Sequence, residues 1–249
     1  MFFSLNDVSF TRNSTFKMKD VTFGIERGEM LGIIGPNGSG KTTLLKIMAG
    51  ILRPHRGSIM VNGSNMHTLK HRDLARIRAY VPEGIDLPFD YDVYDIVALG
   101  RHPYAGMLSG LDGKDRAAID SAFELTDTRG LLHRKFFALS MGEKQRVMLA
   151  MAIAQGPELL LLDEPISHLD IGHQLAFVRT LKQLNRGGMT IVSALHELPI
   201  AQETFGRLCL MDSGRIVRAC PAGDKGLLED IKGVFGVNDE RFIVCPSQE

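Results

Sequence analysis

The chain has little of several features, and each shortage excludes a class of protein. Its 249 residues include only three cysteines, and 29 lysine and arginine residues are balanced by 29 aspartate and glutamate residues. Three scattered cysteines are too few for a disulfide framework or a CxxC metal site, which fits a reducing, cytosolic compartment. Because nucleic-acid-binding proteins usually carry a basic excess, we expect no nucleic acid among the partners.

Long hydrophobic runs are also missing. The longest apolar run covers residues 147–154, whereas about 18 apolar residues are needed to cross a bilayer. The N-terminus lacks the basic region and long apolar stretch of a signal peptide. Since 44% of the residues are hydrophobic, the chain is expected to fold, and we predict a soluble protein.

Short apolar runs separated by longer helical patterns predict an α/β protein with a mainly parallel sheet. Buried strands are expected at 30–34, 159–162 and 190–195. Near the N-terminus, alternating polarity at 5–10 and 20–25 is typical of antiparallel strands with one solvated face.

From about residue 94 to 155 the pattern is helical, without a convincing strand. We therefore predict a single domain over 1–249. In this interpretation, residues 1–87 and 157–249 form an α/β core with an antiparallel β subdomain at the N-terminus. Residues 88–156 form an inserted helical subdomain.

A glycine-rich segment lies between the first buried strand and a helix-forming segment. Residues 35–42, GPNGSGKT, satisfy the phosphate-loop pattern G-x-x-x-x-G-K-[ST]. Glycines let backbone N–H groups close around phosphate oxygens, and the following helix N-terminus favours an anion. Lys41 is expected to neutralise phosphate charge, and the Thr42 hydroxyl to ligate Mg²⁺. The predicted nucleotide-binding residues in this segment are Gly35, Asn37, Gly38, Ser39, Gly40, Lys41, Thr42 and Thr43.

Two acidic residues follow the buried strand at 159–162. Asp163 and Glu164 are placed at a strand's carboxyl end, where α/β proteins bind their ligands. Asp163 suits a water-mediated contact with Mg²⁺, and Glu164 suits the base that orients or deprotonates an attacking water. For the segment considered alone, a simple acidic turn at the end of the strand is the alternative.

A third segment, LSMGEKQR at 139–146, matches an S-x-x-E capping box at Ser140 and Glu143, which by itself indicates only the start of a helix. The three segments in this order resemble the nucleotide-binding subunits of ABC (ATP-binding cassette) transporters over roughly residues 2–220. GPNGSGKTT resembles the Walker A motif, LLLLDEP the Walker B motif and LSMGEKQR the signature LSGGQ. Three shorter segments resemble the D-loop (SHLD, 167–170), the switch-histidine segment (LHE, 195–197) and the Q-loop (YVPE, 80–83).

The resemblance implies a P-loop NTPase fold and hydrolysis of ATP with Mg²⁺. Two copies would meet head to tail, so that ATP on Lys41 of one copy is covered by Ser140 and Gly142 of the other. Asp170 would also lie at the nucleotide. The implied catalytic residues are Lys41, Glu164 and His196, and the implied metal ligands are Thr42, Asp163 and Glu83.

The chain departs from the family pattern at several positions. Glu83 replaces the glutamine of the Q-loop. In the signature, Met141 replaces a glycine and Glu143 replaces a glutamine. The aromatic residue that stacks on adenine in the family would fall near Arg12, with Phe10 and Phe16 as alternatives.

The segment VALGRHPY at 97–104 resembles the LGRxP stretch of ATPases that serve importers of iron chelates, haem and cobalamin. The resemblance places this segment near the groove where a polytopic membrane permease docks. It also implies a substrate-binding protein and a cytoplasmic location, peripheral on the inner face of the membrane. A plain polar loop between helices is the alternative for the segment.

Other ABC proteins offer alternative functions. A soluble ATPase of an assembly scaffold, as in iron–sulfur cluster assembly, has a similar size and motifs. A DNA-repair or translation ATPase is disfavoured by the single cassette, the absence of heptad repeats and the zero net charge.

Overall fold

The structure is a computed structural model that describes residues 1–12, 16–84, 87–104 and 110–236. The strands are β1 (Phe3–Arg12), β2 (Phe16–Ile25), β3 (Met30–Ile34), β4 (Arg56–Val61), β5 (Ser64–Asn65), β6 (Arg78–Val81), β7 (Leu159–Asp163), β8 (Thr190–Ala194), β9 (Arg207–Asp212) and β10 (Arg215–Pro221). The helices are α1 (Lys41–Met48), α2 (His71–Ile77), α3 (Val93–Leu99), α4 (Gly113–Leu125), α5 (Met141–Ala154), α6 (Ile171–Arg186), α7 (Leu198–Thr204) and α8 (Lys225–Phe235).

Six strands form the central sheet in the order β10-β9-β3-β8-β7-β6. Neighbouring strands from β9 to β6 are parallel, and β10 pairs antiparallel with β9. The predicted mainly parallel sheet is confirmed. Because parallel strands point the same way, the segments that follow β3, β8, β7 and β6 all leave the same edge of the sheet.

A second, antiparallel sheet has the order β2-β1-β4-β5. It confirms the antiparallel strands expected near the N-terminus. The two sheets enclose one hydrophobic core together with α1, and a second core lies on the opposite face of the central sheet. Alternate residues of β7 enter different cores, Leu160 and Leu162 one and Leu159 and Leu161 the other. Burial on both faces explains why this strand is uniformly apolar.

Within the described part of residues 93–154, the α-helices α3, α4 and α5 replace the sheet, as the helical pattern predicts. The helix α5 packs against both α3 and α4. Among the described residues, no helix is long and apolar enough to cross a bilayer.

The segment that resembles LGRxP is held inside the fold by Arg101. The Arg101 side chain is buried, and its Nε donates a hydrogen bond to Oδ1 of Asp115 over 2.8 Å. Its Nη1 donates to the carbonyl oxygen of Ala154, and its guanidinium lies 3.8 Å from the centre of the Tyr104 ring. The charge of Arg101 therefore acts inside the fold, where it ties α4 and α5 to this segment.

Candidate active site

The segment after β3 contains three glycines with positive φ, Gly35, Gly38 and Gly40. Gly35 has φ +150°, and a Cβ there would lie 2.2 Å from the carbonyl oxygen of Met211. Gly40 has φ +109° and caps α1, the helix that begins with Lys41. Side chains at these positions would be strained or would clash, so the sequence folds into a tight loop that directs the N-terminus of α1 outward.

Lys41 is buried, and its Nζ donates to the carbonyl oxygen of Gly35 over 2.9 Å. Burial lowers the pKa of Lys41, while the carboxylates of Glu164, Asp163 and Glu83 act in the opposite direction. The Ser39 Oγ is buried without a hydrogen-bond partner, as expected for a group built to meet a ligand oxygen. An open cavity at this loop is lined by Asn37, Gly38, Gly40, Lys41, Thr42, Thr43 and Glu164.

Asp163 ends β7 and is 2% exposed. Its Oδ1 accepts a hydrogen bond from Thr42 Oγ1 over 2.9 Å, and its Oδ2 accepts one from the Tyr80 hydroxyl over 2.8 Å. The structure therefore brings together the predicted pair Thr42 and Asp163. An oxygen donor set of one hydroxyl and one carboxylate suits Mg²⁺, which is usually held by one or two carboxylates and by substrate phosphates.

Tyr80 is a site residue that sequence reasoning missed. It lies in β6, a strand that was also not predicted, three residues before Glu83. Burial raises the pKa of Tyr80, and the nearby charge of Asp163 raises it further, so the phenol stays protonated and acts as a donor. The sequence signal that could have identified Tyr80 is its position in a short apolar segment. A buried tyrosine there usually needs a hydrogen-bond partner for its hydroxyl.

Glu164 follows Asp163 in a left-handed backbone conformation with φ +49°. Its N–H donates to the carbonyl oxygen of Ala194 at the end of β8. Its Oε1 lies 2.6 Å from Nε2 of His196 and 3.9 Å from Nζ of Lys41. Non-glycine residues in this conformation cost of order 1–3 kcal/mol and concentrate at functional sites. The three predicted catalytic residues are thus adjacent.

Glu164 is mostly buried, with 11% of its side chain exposed. Burial raises the pKa of Glu164, which the charge of His196 opposes and the charge of Glu83 reinforces. A carboxylate whose pKa is moved toward neutrality and that contacts an imidazole has the properties of a general base.

Glu83 lies near Glu164 and is not in contact with Thr42. Its carboxylate is half exposed, and Oε1 is 3.9 Å from Nε2 of His168. Glu83 and Glu164 border the same narrow cleft, which is lined by Glu83, Met141, Gln145, Glu164, Pro165, Ser167, His168 and Leu169.

The signature-like segment forms the predicted capping box at the start of α5. The N–H of Ser140 donates to Oε2 of Glu143 over 2.7 Å, and the N–H of Glu143 donates to Oγ of Ser140 over 3.3 Å. Gly142 packs against the ring of His173, where a Cβ would lie 3.1 Å from Cδ2. Ser140 itself stays exposed.

Asp170 caps the next helix, α6. Its Oδ1 accepts from the N–H of His173 over 3.0 Å, and its Oδ2 lies 2.7 Å from Nδ1 of the same residue. The contacts described for these residues, Ser140, Gly142 and Asp170, are therefore made at the starts of α5 and α6. None of these contacts is with the loop that holds Lys41.

The prediction for adenine stacking at Arg12 lies outside the described side chains, as does the alternative at Phe16. The structure does not favour the other alternative, Phe10, as a nucleotide contact. Its ring is buried in the core and stacks on His55 with centroids 5.4 Å apart.

Fold and site together define a P-loop ATPase cassette, in which a phosphate loop, a strand-end acidic pair and a histidine meet at one edge of a parallel sheet. The family model described as ABC transporter matches residues 18–167. The chain belongs to the ABC transporter family, and it is an ATP-binding ATPase.

Curated relatives extend the likeness over most of the chain. The petrobactin import ATP-binding protein FpuC of Bacillus anthracis is 37% identical over 240 residues, which cover 96% of this chain and 88% of that protein. The iron(3+)-hydroxamate import ATP-binding protein FhuC of Bacillus subtilis is 36% identical over 224 residues, which cover 90% of this chain and 83% of that protein. A dimeric bacterial ABC transporter cassette of known structure has a TM-score of 0.79 and 25% identity, covering 90% of this chain and 100% of that one.

Proposed function

We propose that this chain is the ATP-hydrolysing subunit that energises an importer of an iron chelate, haem or cobalamin. The observation that carries the proposal is the contact of Glu164 with both His196 and Lys41, beside the Thr42–Asp163 pair. This contact supports a joint role for the three residues as a base, its orienting imidazole and a phosphate-binding cation.

Each residue of the cluster has a distinct role in this proposal. Lys41 and the N–H groups of residues 35–43 bind the β- and γ-phosphates. Glu164 accepts the proton of the attacking water, and His196 holds the Glu164 carboxylate and contacts the γ-phosphate. The buried position of Glu164 favours this proton transfer, because its raised pKa makes it a stronger base than an exposed carboxylate.

Thr42, Asp163 and Glu83 are the proposed ligands of Mg²⁺. The ion would supply positive charge that offsets the negative charge of the phosphates. The chain's own contribution is to hold the Asp163 carboxylate in place through hydrogen bonds from Thr42 and Tyr80.

The importer assignment is supported by the two relatives that serve iron-chelate import and by the surface of the helical segment. Three of its large apolar side chains are exposed, Phe89 by 68%, Leu99 by 52% and Phe137 by 51%. We propose that a polytopic membrane permease covers this surface, which places the chain on the cytoplasmic face of the membrane. A substrate-binding protein would deliver the cargo. Neither relative supports the iron–sulfur scaffold alternative.

A second copy of the chain is the other proposed partner. The likeness to a dimeric cassette supports a head-to-tail dimer. Exposure of Ser140 and of Met141, which is 50% exposed, leaves the start of α5 accessible to a nucleotide on the other copy.

The test is purification of the tagged chain from detergent-solubilised membranes of its own cells. We expect a polytopic membrane protein in stoichiometric amount, and proteoliposomes of that complex should take up radiolabelled ferric siderophore, haem or cobalamin when supplied with ATP. The same complex with Glu164→Gln should bind ATP without uptake. Recovery of only soluble scaffold proteins would contradict the importer assignment.

A further inference from the structure

An ion pair between Arg134 and Glu143 lies at the start of α5, and the roles above do not use Arg134. Nη1 of Arg134 donates to Oε1 of Glu143 over 2.9 Å, and Nη2 donates to the carbonyl oxygen of Ala138 over 2.9 Å. The other oxygen of Glu143 accepts the N–H of Ser140. Both carboxylate oxygens are therefore engaged, one by the helix cap and one by Arg134.

Glu143 creates an electrostatic problem at this position. In the head-to-tail dimer proposed above, the start of α5 faces the phosphates of the nucleotide on the other copy. A neutral glutamine at this position could accept the N–H of Ser140 just as well as the glutamate does. The carboxylate of Glu143, however, adds a negative charge where a triphosphate must approach. The pKa of Glu143 is held below its usual value, first by the backbone bond from Ser140 and also by Arg134, so the charge persists at neutral pH.

We propose that Arg134 is a positioning residue that cancels the charge of Glu143, so that the capped start of α5 can accept the phosphates of the partner's nucleotide. This inference rests on the proposed dimer. Arg134 holds one oxygen of the Glu143 carboxylate while the other oxygen accepts the N–H of Ser140 at the helix cap. The contact with Ala138 fixes the guanidinium from the opposite side, and the loop before the signature is tied to the helix that follows.

The experiment measures MgATP-driven self-association by analytical ultracentrifugation, with Glu164→Gln as the parent protein to prevent hydrolysis. Arg134→Ala should weaken association about tenfold, equivalent to ~1.4 kcal/mol, and raising the salt concentration should reduce this loss. Glu143→Gln alone should associate at least as tightly as the parent, because the amide oxygen still caps Ser140 and the Arg134 charge is then unopposed. The combined change Arg134→Ala with Glu143→Gln should return to within about twofold of the parent, since no charge then needs cancelling.

Two controls separate charge from folding. Arg129→Ala removes a guanidinium that pairs with Asp120 on α4, and it should leave association unchanged. Binding of a fluorescent ATP analogue to the monomer should be equal in all variants, since it depends on the loop that holds Lys41.

The outcomes are distinguishable. If the double variant remains as weak as Arg134→Ala, then Arg134 acts only through the Ala138 carbonyl and the charge argument is overturned. Unchanged association of Arg134→Ala would overturn it as well, while leaving the dimer intact. If the parent itself does not associate with MgATP, the proposed dimer fails and this inference fails with it.

Discussion

Tyr80→Phe isolates the hydrogen bond that joins β6 to the acidic end of β7. Asp163 is 2% exposed and accepts one bond from Tyr80 and one from Thr42. Net contributions of hydrogen bonds to charged groups are about 1.5–3 kcal/mol, and loss of the phenol leaves a buried carboxylate oxygen without its donor. We therefore expect the free energy of unfolding to fall by about 1.5–3 kcal/mol.

Thermal unfolding without nucleotide or metal measures this loss directly. For chains of this size, 1 kcal/mol corresponds to roughly 2–4 °C in Tm, so Tyr80→Phe should lower Tm by about 3–12 °C. Tyr94→Phe is the matched control, because the ring of Tyr94 stacks on Phe123 and the residue lies at the edge of the helical segment. If the two variants melt at the same temperature as the unmodified chain, the Tyr80 hydroxyl contributes nothing and the proposed support of Asp163 is refuted.

The other predictions concern the same edge of the sheet and its surroundings. Lys41→Ala should abolish binding of fluorescent ATP, and near-normal affinity would remove Lys41 from the phosphate site. Glu164→Gln should bind MgATP but hydrolyse it at least about 100-fold more slowly, a typical loss for a missing base. Turnover at the unmodified rate would assign the base elsewhere. Glu83→Gln should remain active with a shifted Mg²⁺ midpoint in an ATPase titration, because a carboxylate and an amide differ in their attraction to a hard cation. Superimposable titrations would show that Glu83 does not sense the metal. Arg101→Glu should destabilise the fold by about 3–5 kcal/mol in denaturant unfolding, since it leaves Asp115 buried opposite a like charge. A stable variant that loses only transport would show that Arg101 serves the membrane subunit rather than the fold.

Local sequence patterns predict the buried strands of the central sheet, and they also predict the phosphate loop and the acidic pair of the site. The apolar runs of β3, β7 and β8 are recognisable because both faces of the central sheet are covered. The phosphate loop and the acidic pair each lie directly after such a strand, so their residues could be located without knowing the strand order.

Contacts between distant parts of the chain could not be predicted in the same way. The Tyr80 hydroxyl reaches Asp163 because β6 pairs with β7 in the sheet. No local sequence pattern predicts which strands are neighbours. Arg101 is a second example, because a charged residue in a polar segment gives no sign that its side chain is buried. Its burial is possible only because Asp115 and the carbonyl oxygen of Ala154 satisfy the guanidinium.

The geometry of the acidic pair depends on both neighbours of β7. Asp163 is held from β6 through Tyr80, whereas Glu164 is held from β8 through the carbonyl oxygen of Ala194 and through His196. Since strands of a covered parallel sheet cannot shift independently, these two carboxylates form the rigid part of the site. The exposed parts are Glu83, which follows β6, and the start of α5. We therefore expect the proposed partners to act on hydrolysis through Glu83 and the start of α5, whereas the sheet already holds the acidic pair in place.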